Sequence, residues 1–146
     1  MPYTFDVGEF GSGFGSSPYL KKYCHDAKRN FFSYDNNTDW CEKTGSKYVQ
    51  WDDPELYREY SVCLIDHAPG ELRHEAIAIL KDKVEILVVH DSEPVGSGNY
   101  QLNKIWHLFK YIVHCKSEGA WATALSNTID VTKWSGQELA GFKIEI

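Results

Sequence analysis

Glu9-Phe10-Gly11-Ser12-Gly13-Phe14-Gly15-Ser16-Ser17-Pro18 follows a short β-rich run, Tyr3 to Phe10, and leads into Tyr19, Leu20, Tyr23 and Cys24 at helical spacing. Three glycines at alternate positions between a strand and a helix let the backbone turn tightly and let a ligand approach the main chain. Ser17 as N-cap and Pro18 as first helical residue are expected to start the helix. The spacing departs from the GxGxxG dinucleotide fingerprint, because Ser16-Ser17 follow Gly15, which argues against a nicotinamide cofactor.

Beyond this turn, β-rich runs alternate with helical patterns. Phe31 to Tyr34 reads as a strand ending at Asp35-Asn36-Asn37, and a helix over Thr38 to Lys43 is stopped by Gly45. Lys47 to Trp51 is the third strand, followed by the acidic turn Asp52-Asp53-Pro54. Ser61 to Ile65 is nearly all apolar, so this fourth strand is expected to be covered on both faces. Leu72, Ala76, Ile79 and Leu80 share a helix face, Val84 to Val89 is the fifth strand, and Leu102, Ile105, Trp106 and Phe109 predict another helix. Lys110 to Cys115 and Trp121 to Ser126 form a hairpin-like pair. The pattern predicts one α/β domain over 1–146 with a core over 3–126: a Rossmann-like, doubly wound, three-layer fold whose mostly parallel seven-stranded sheet has an antiparallel last strand. In the tail, 127–146, the alternating Phe142, Ile144 and Ile146 suggest either cover for the site or a partner-binding strand. Four strands end in polar clusters, and in an open parallel sheet these meet in one crevice beyond the carboxyl ends.

Charge and composition narrow the function. Lys and Arg number 15 against 21 Asp and Glu, a net charge of −6, with no Lys/Arg block, which argues against nucleic-acid partners held through phosphates. The uncharged apolar stretch Ile86 to Val89 is far short of the roughly 20 residues of a membrane span, so a cytoplasmic protein with no membrane partner is expected. Cys24, Cys41, Cys63 and Cys115 form no CxxC pair and read as free thiols.

The run from Glu9 to Ser16, an acid two residues before a glycine triplet, resembles the first motif of class I S-adenosylmethionine-dependent methyltransferases, and Asp35 stands where that family has a ribose-binding acid. The resemblance implies S-adenosylmethionine as cofactor, Glu9 near the amino end of its methionine moiety, and Gly11, Ser12, Gly13, Gly15 and Ser16 along it. It further implies Asp35 on the ribose; Asn36 beside it and Asp66 at the next strand end are candidate cofactor contacts, and Asp52 is expected near the adenine ring. Leu64-Ile65-Asp66-His67 and His90-Asp91-Ser92 are similar to the sites where catechol-type O-methyltransferases of the family hold a divalent metal, with Ser92 replacing an Asn. Asp66, Asp91 and Ser92 are therefore candidate ligands for Mg²⁺, which would lower the pKa of a substrate hydroxyl. His67, His90 and Asp91 are the candidate catalytic residues, since an imidazole titrates near neutral pH.

Only Met1 and Pro2 precede the first strand, where the family carries a helical segment, so an open crevice, or one covered by a second subunit in a homodimer, is expected. The Asn/Asp-Pro-Pro-Tyr/Phe loop of base methylation is not found, with Asp91-Ser92-Glu93-Pro94 in that neighbourhood. The resulting expectation is methyl transfer to an oxygen of a small molecule or sugar. The alternative is a non-catalytic S-adenosylmethionine-binding or scaffold module.

Overall fold

The computed structural model describes residues 5–94, 100–139 and 142–146. Tyr3 and Thr4, expected in the first strand, and Met1-Pro2 before it lie outside the described residues. Nine strands among the described residues form one sheet, ordered β3-β2-β1-β4-β5-β7-β6-β9-β8. They are β1 Asp6–Phe10, β2 Asn30–Asp35, β3 Lys47–Tyr48, β4 Tyr60–Ile65, β5 Val84–His90, β6 Tyr111–Lys116, β7 Ala122–Ser126, β8 Glu138–Leu139 and β9 Phe142–Glu145. The first five run parallel, with Val7 opposite both Phe31 and Val62, and Val62 opposite Ile86. β7 enters antiparallel against β5, and β6 and β9 continue that sense.

The doubly wound α/β reading therefore holds, with two more strands than the seven expected. The extra pair comes from the tail: the alternation at Phe142 and Ile144 is that of a strand whose Ile144 faces Cys115 of β6, extending the sheet.

Three α-helices that lie wholly within the described residues flank the sheet: α1 Ser17–Asp26, α2 Thr38–Thr44 and α3 Arg73–Leu80. α2 is built from local signals, Asn37 accepting from the Trp40 amide and Gly45 closing the helix at φ 76°. The helix expected through Leu102 to Phe109 is instead two 3₁₀ turns, Leu102–Lys104 and Trp106–Leu108, which still bury Leu102, Ile105 and Phe109. Those residues join a core in which Phe10, Tyr60, Ile65, Ile77, Leu80, Leu87 and Leu125 are fully enclosed. Cys24, Cys41 and Cys63 are buried free thiols, and burial raises the pKa of both Cys24 and Cys63. No helix among the described residues is long and apolar enough to cross a membrane.

Candidate functional site

The glycine turn does two different jobs. Gly11 sits at φ 94°, and a methyl group on it would lie 2.5 Å from the main chain of Asp66, so the turn passes directly over the end of β4. Its amide donates to the Tyr34 oxygen at 2.8 Å, holding the turn to β2 as well. Gly15 faces open space, and a methyl on Gly13 would meet only the Ser16 hydroxyl at 3.8 Å. Packing explains Gly11, while Gly13 and Gly15 leave the front of the turn free.

Glu9 lies under the turn, fully buried, and its carboxyl is enclosed by three hydroxyls. Oε1 accepts from Ser17 at 2.6 Å and Ser33 at 2.7 Å, and Oε2 accepts from Ser16 at 2.8 Å. Ser17 is thus the first residue of α1 rather than its cap: its hydroxyl serves Glu9 and accepts from the Gly13 amide at 2.9 Å. Asp35, also buried, ties the turn to β2. Its Oδ2 accepts from the Ser12 amide at 2.9 Å and hydroxyl at 3.2 Å, and its Oδ1 accepts from the Asn37 amide at 3.0 Å. Ser12 also meets Thr44 and Ser46, and the Trp40 indole donates to its carbonyl. Asn36 is half-buried beside Asp35. Asp52 is exposed on the turn after β3, where it lines a separate cleft of about 620 Å³ with Trp51, Tyr57 and α3.

At the ends of β4 and β5 the structure supplies a residue that the sequence reading passed over. Arg73, the first residue of α3, is buried and directed at both strand ends. Nε donates to the His67 carbonyl at 2.9 Å and Nη1 to the His90 carbonyl at 3.1 Å. Nη1 is 3.2 Å from Asp91 Oδ2 and Nη2 is 3.2 Å from Asp66 Oδ1. The Tyr100 ring lies 4.4 Å from the guanidinium carbon. Asp91 adopts the left-handed backbone, φ 57°, with its carboxylate on Arg73. The signal available in the sequence was electrostatic: two strand-end acids expected in one crevice need a counter-charge, and Arg73 opens the helix that follows the first of them.

This arrangement corrects the expectation of a metal. Asp66, His90 and Asp91 do converge, with ligand atoms within 4.8 Å of one another. The cation between the two carboxylates is nevertheless the Arg73 guanidinium. Ser92, the third proposed ligand, is buried and accepts from Thr123 Oγ1 at 2.6 Å. Thr123 is in turn 2.7 Å from His114 Nδ1. Of the expected ligands, Asp66 and Asp91 are thus held by Arg73 and Ser92 by Thr123.

The two histidines are opposites. His90 Nδ1 lies 3.1 Å from Asp91 Oδ1 and 3.4 Å from Asp66 Oδ1, contacts of an ion pair rather than aligned hydrogen bonds. Asp66 chiefly, then Asp91, outweighs the cost of its burial and raises its pKa to about 9. A raised pKa favours the imidazolium, the form in which His90 holds a proton rather than accepts one, and Asp91 faces both His90 and Arg73. His67 is enclosed, with neither ring nitrogen hydrogen-bonded and the Trp51 ring 4.4 Å away. Burial, assisted by the Arg73 charge, lowers its pKa to about 3, so it stays neutral. Among the aromatics near the turn, Phe14 meets Trp40 edge-on at 4.9 Å, whereas Tyr19 is 76% exposed on α1.

No protein-family model matches the chain, and no curated protein sequence does. Solved structures do. The human methyltransferase 10 domain containing protein superposes with a TM-score of 0.54 at 13% identity, over 85% of this chain and 72% of that one. The METTL16 methyltransferase domain gives 0.54 at 14%, over 84% and 73%. The T. thermophilus 16S rRNA N2 G1207 methyltransferase RsmC, in complex with AdoMet and guanosine, gives 0.58 at 11%, over 89% of this chain but 37% of that one. The expected partner is corrected here, because a fold that serves rRNA methylation removes the ground for preferring a small-molecule acceptor and excluding nucleic acid. A net charge describes the whole chain and says nothing about one face. Strand order, glycine turn and these likenesses agree that the chain has the class I S-adenosylmethionine-dependent methyltransferase fold.

Proposed function

We propose that the protein is an S-adenosylmethionine-dependent methyltransferase acting on a base nitrogen of RNA, without the Asn/Asp-Pro-Pro-Tyr/Phe loop, whose neighbourhood Asp91-Ser92-Glu93-Pro94 occupies. The observation that carries the reading is the open main chain at Gly13 and Gly15, on a turn whose Ser12 is tied to Asp35, in a fold whose solved likenesses include an rRNA methyltransferase holding AdoMet and guanosine. The residues present fit the cofactor: two glycines whose absent side chains leave the main chain open, and a ribose-side carboxyl with remaining acceptor capacity beyond its three bonds. The cofactor supplies an electrophilic methyl group, and the chain positions the acceptor for in-line displacement.

In this reading Ser12, fixed by Asp35, sets the height of the turn, and Glu9 with its three hydroxyls holds the turn and α1 in one piece. Glu9 is then a positioning residue, since its carboxyl is satisfied within the protein. Asp66, its side chain 32% exposed at the crevice, accepts the hydrogen bond of the reacting N–H, and Arg73 fixes its direction. His90, as a cation on the same rim, faces the phosphate side of the substrate.

Isothermal titration with S-adenosylhomocysteine, paired with transfer of a labelled methyl group to bulk RNA, tests the reading. Binding and transfer that both fall in Asp35→Ala are expected. Binding unchanged in Asp35→Ala, or no binding by the wild type, overturns the cofactor site; binding without transfer to any RNA favours the non-catalytic module.

A further inference from the structure

A second cleft, of about 400 Å³, lies between α1 and α2 on the face of the sheet. Its floor is the early part of β2, which is buried only at Tyr34 and Asp35, and Phe31 and Ser33 point to the same side of the strand. Gly13 and Phe14 form one end, Lys21 of α1 and Lys43 of α2 flank it, and Gly45 closes it.

Its charge is opposite to that of the protein. No Asp or Glu lines this cleft, although acids outnumber bases 21 to 15 in the chain. The surrounding segment, 12–48, holds Lys21, Lys22, Lys28, Arg29, Lys43 and Lys47 against Asp26, Asp35, Asp39 and Glu42, so the excess of acid lies entirely elsewhere. Among the described residues neither Lys21 nor Lys43 is in an ion pair, whereas Lys22 is tied to Asp26. The Phe14 ring is 61% exposed and braced edge-on by Trp40, over which Lys43 Nζ stands at 5.9 Å. An exposed ring held in place beside unpaired cations, with glycine main chain on both sides, is the combination by which proteins bind single strands: rings stack on bases and lysines follow the phosphates.

We propose that this cleft binds single-stranded RNA, with Lys21 and Lys43 on the backbone phosphates and Phe14 against a base. The inference rests on the RNA reading above and extends it along the sheet face, into a cleft that meets the cofactor side of the turn at Gly13 and runs from there over Phe31 and Ser33 to Gly45. An acidic protein segment would use the same lysines but would leave the stacking ring without a role.

The test is fluorescence anisotropy with labelled oligouridine about 15 nucleotides long, at several salt concentrations. Lys21→Glu/Lys43→Glu is compared with Lys104→Glu/Lys133→Glu, an equal change of charge elsewhere. The cleft pair is expected to weaken binding at least about tenfold more than the remote pair and to reduce the salt slope by about 1.4. Phe14→Ala is expected to weaken binding about tenfold with the slope unchanged. A wild type that does not bind the oligonucleotide, or equal losses in the two pairs, overturns the proposal. S-adenosylhomocysteine titration separates the two readings: cofactor binding kept by a wild type that ignores oligouridine sinks the cleft alone. RNA binding that depends on the lysines without cofactor binding keeps the cleft and sinks methyl transfer.

Discussion

The Nε–H of Arg73 donates to the main-chain oxygen of His67 at 2.9 Å, so the residue that begins α3 also fixes the turn from which α3 departs. Its other nitrogens reach Asp66 and Asp91, joining the ends of two adjacent strands through one cation. Removing it leaves two carboxylates with His90 as their nearby counter-charge. Arg73→Ala is expected to cost about 3–5 kcal/mol, as for other broken buried ion pairs. Arg73→Lys should recover part of that, because an ammonium cannot span four oxygens in a plane. Urea unfolding at neutral pH measures both; a loss below about 1 kcal/mol in the alanine variant, the level of a surface pair, would refute the bridging role.

The glycine turn predicts a separation of stability from binding. Gly11→Ala meets the Asp66 backbone and a left-handed φ, and is expected to destabilise by more than about 2 kcal/mol. Gly15→Ala meets nothing, and its stability should stay within about 1 kcal/mol of wild type while affinity for S-adenosylhomocysteine falls. Thermal unfolding and calorimetric titration of the two variants check this, and unchanged affinity in Gly15→Ala removes that glycine from the cofactor site.

The two histidines give stability a pH dependence with opposite signs. An unfolded histidine titrates near 6.5, whereas folded His67 takes a proton only at about 3, so its contribution is lost as pH falls from about 6.5 toward 3. Folded His90 keeps its proton to about 9, so its contribution is full below about 6.5 and is lost as pH rises toward 9. His67→Phe should therefore flatten the acid limb of a stability profile, and His90→Gln the alkaline limb. The His90 effect is the smaller of the two, since its side chain is 44% exposed and solvent screens it. Urea midpoints from about pH 4 to 9, taken as differences from wild type, are the readout; an acid limb as steep in His67→Phe as in wild type contradicts the assignment.

With a guanidinium between Asp66 and Asp91, the proposed methyl transfer should be indifferent to metal. Incubation with EDTA, or addition of Mg²⁺, is expected to leave cofactor binding and transfer unchanged. A rate that EDTA abolishes and Mg²⁺ restores would overturn this.

What could be read from sequence was what local chemistry writes locally. The stop at Gly45 and the apolar run of β4 each depend on neighbours in the chain, and each appears where expected. Arg73 was illegible because a lone arginine at the start of a helix ordinarily faces water, and its role depends on carboxylates from two different strands. The enclosure of the Glu9 carboxyl was illegible for a related reason: its three hydroxyls come from Ser16, Ser17 and Ser33, and the last of these lies on β2. The segment from Leu102 to Phe109 kept its apolar spacing but not its helix, since 3₁₀ turns also bring residues three apart to one side.

The sheet's two halves also differ in how far along the chain a strand must look for its neighbour. β6 and β7 meet across a short connection, and β8 and β9 across a shorter one, so the antiparallel half closes cheaply. β1 sits between β2 and β4, pairing Val7 with both Phe31 and Val62. During synthesis the strand that carries the glycine turn therefore has one open flank until Tyr60 to Ile65 leaves the ribosome, whereas β5 keeps an open flank until Ala122 to Ser126 follows.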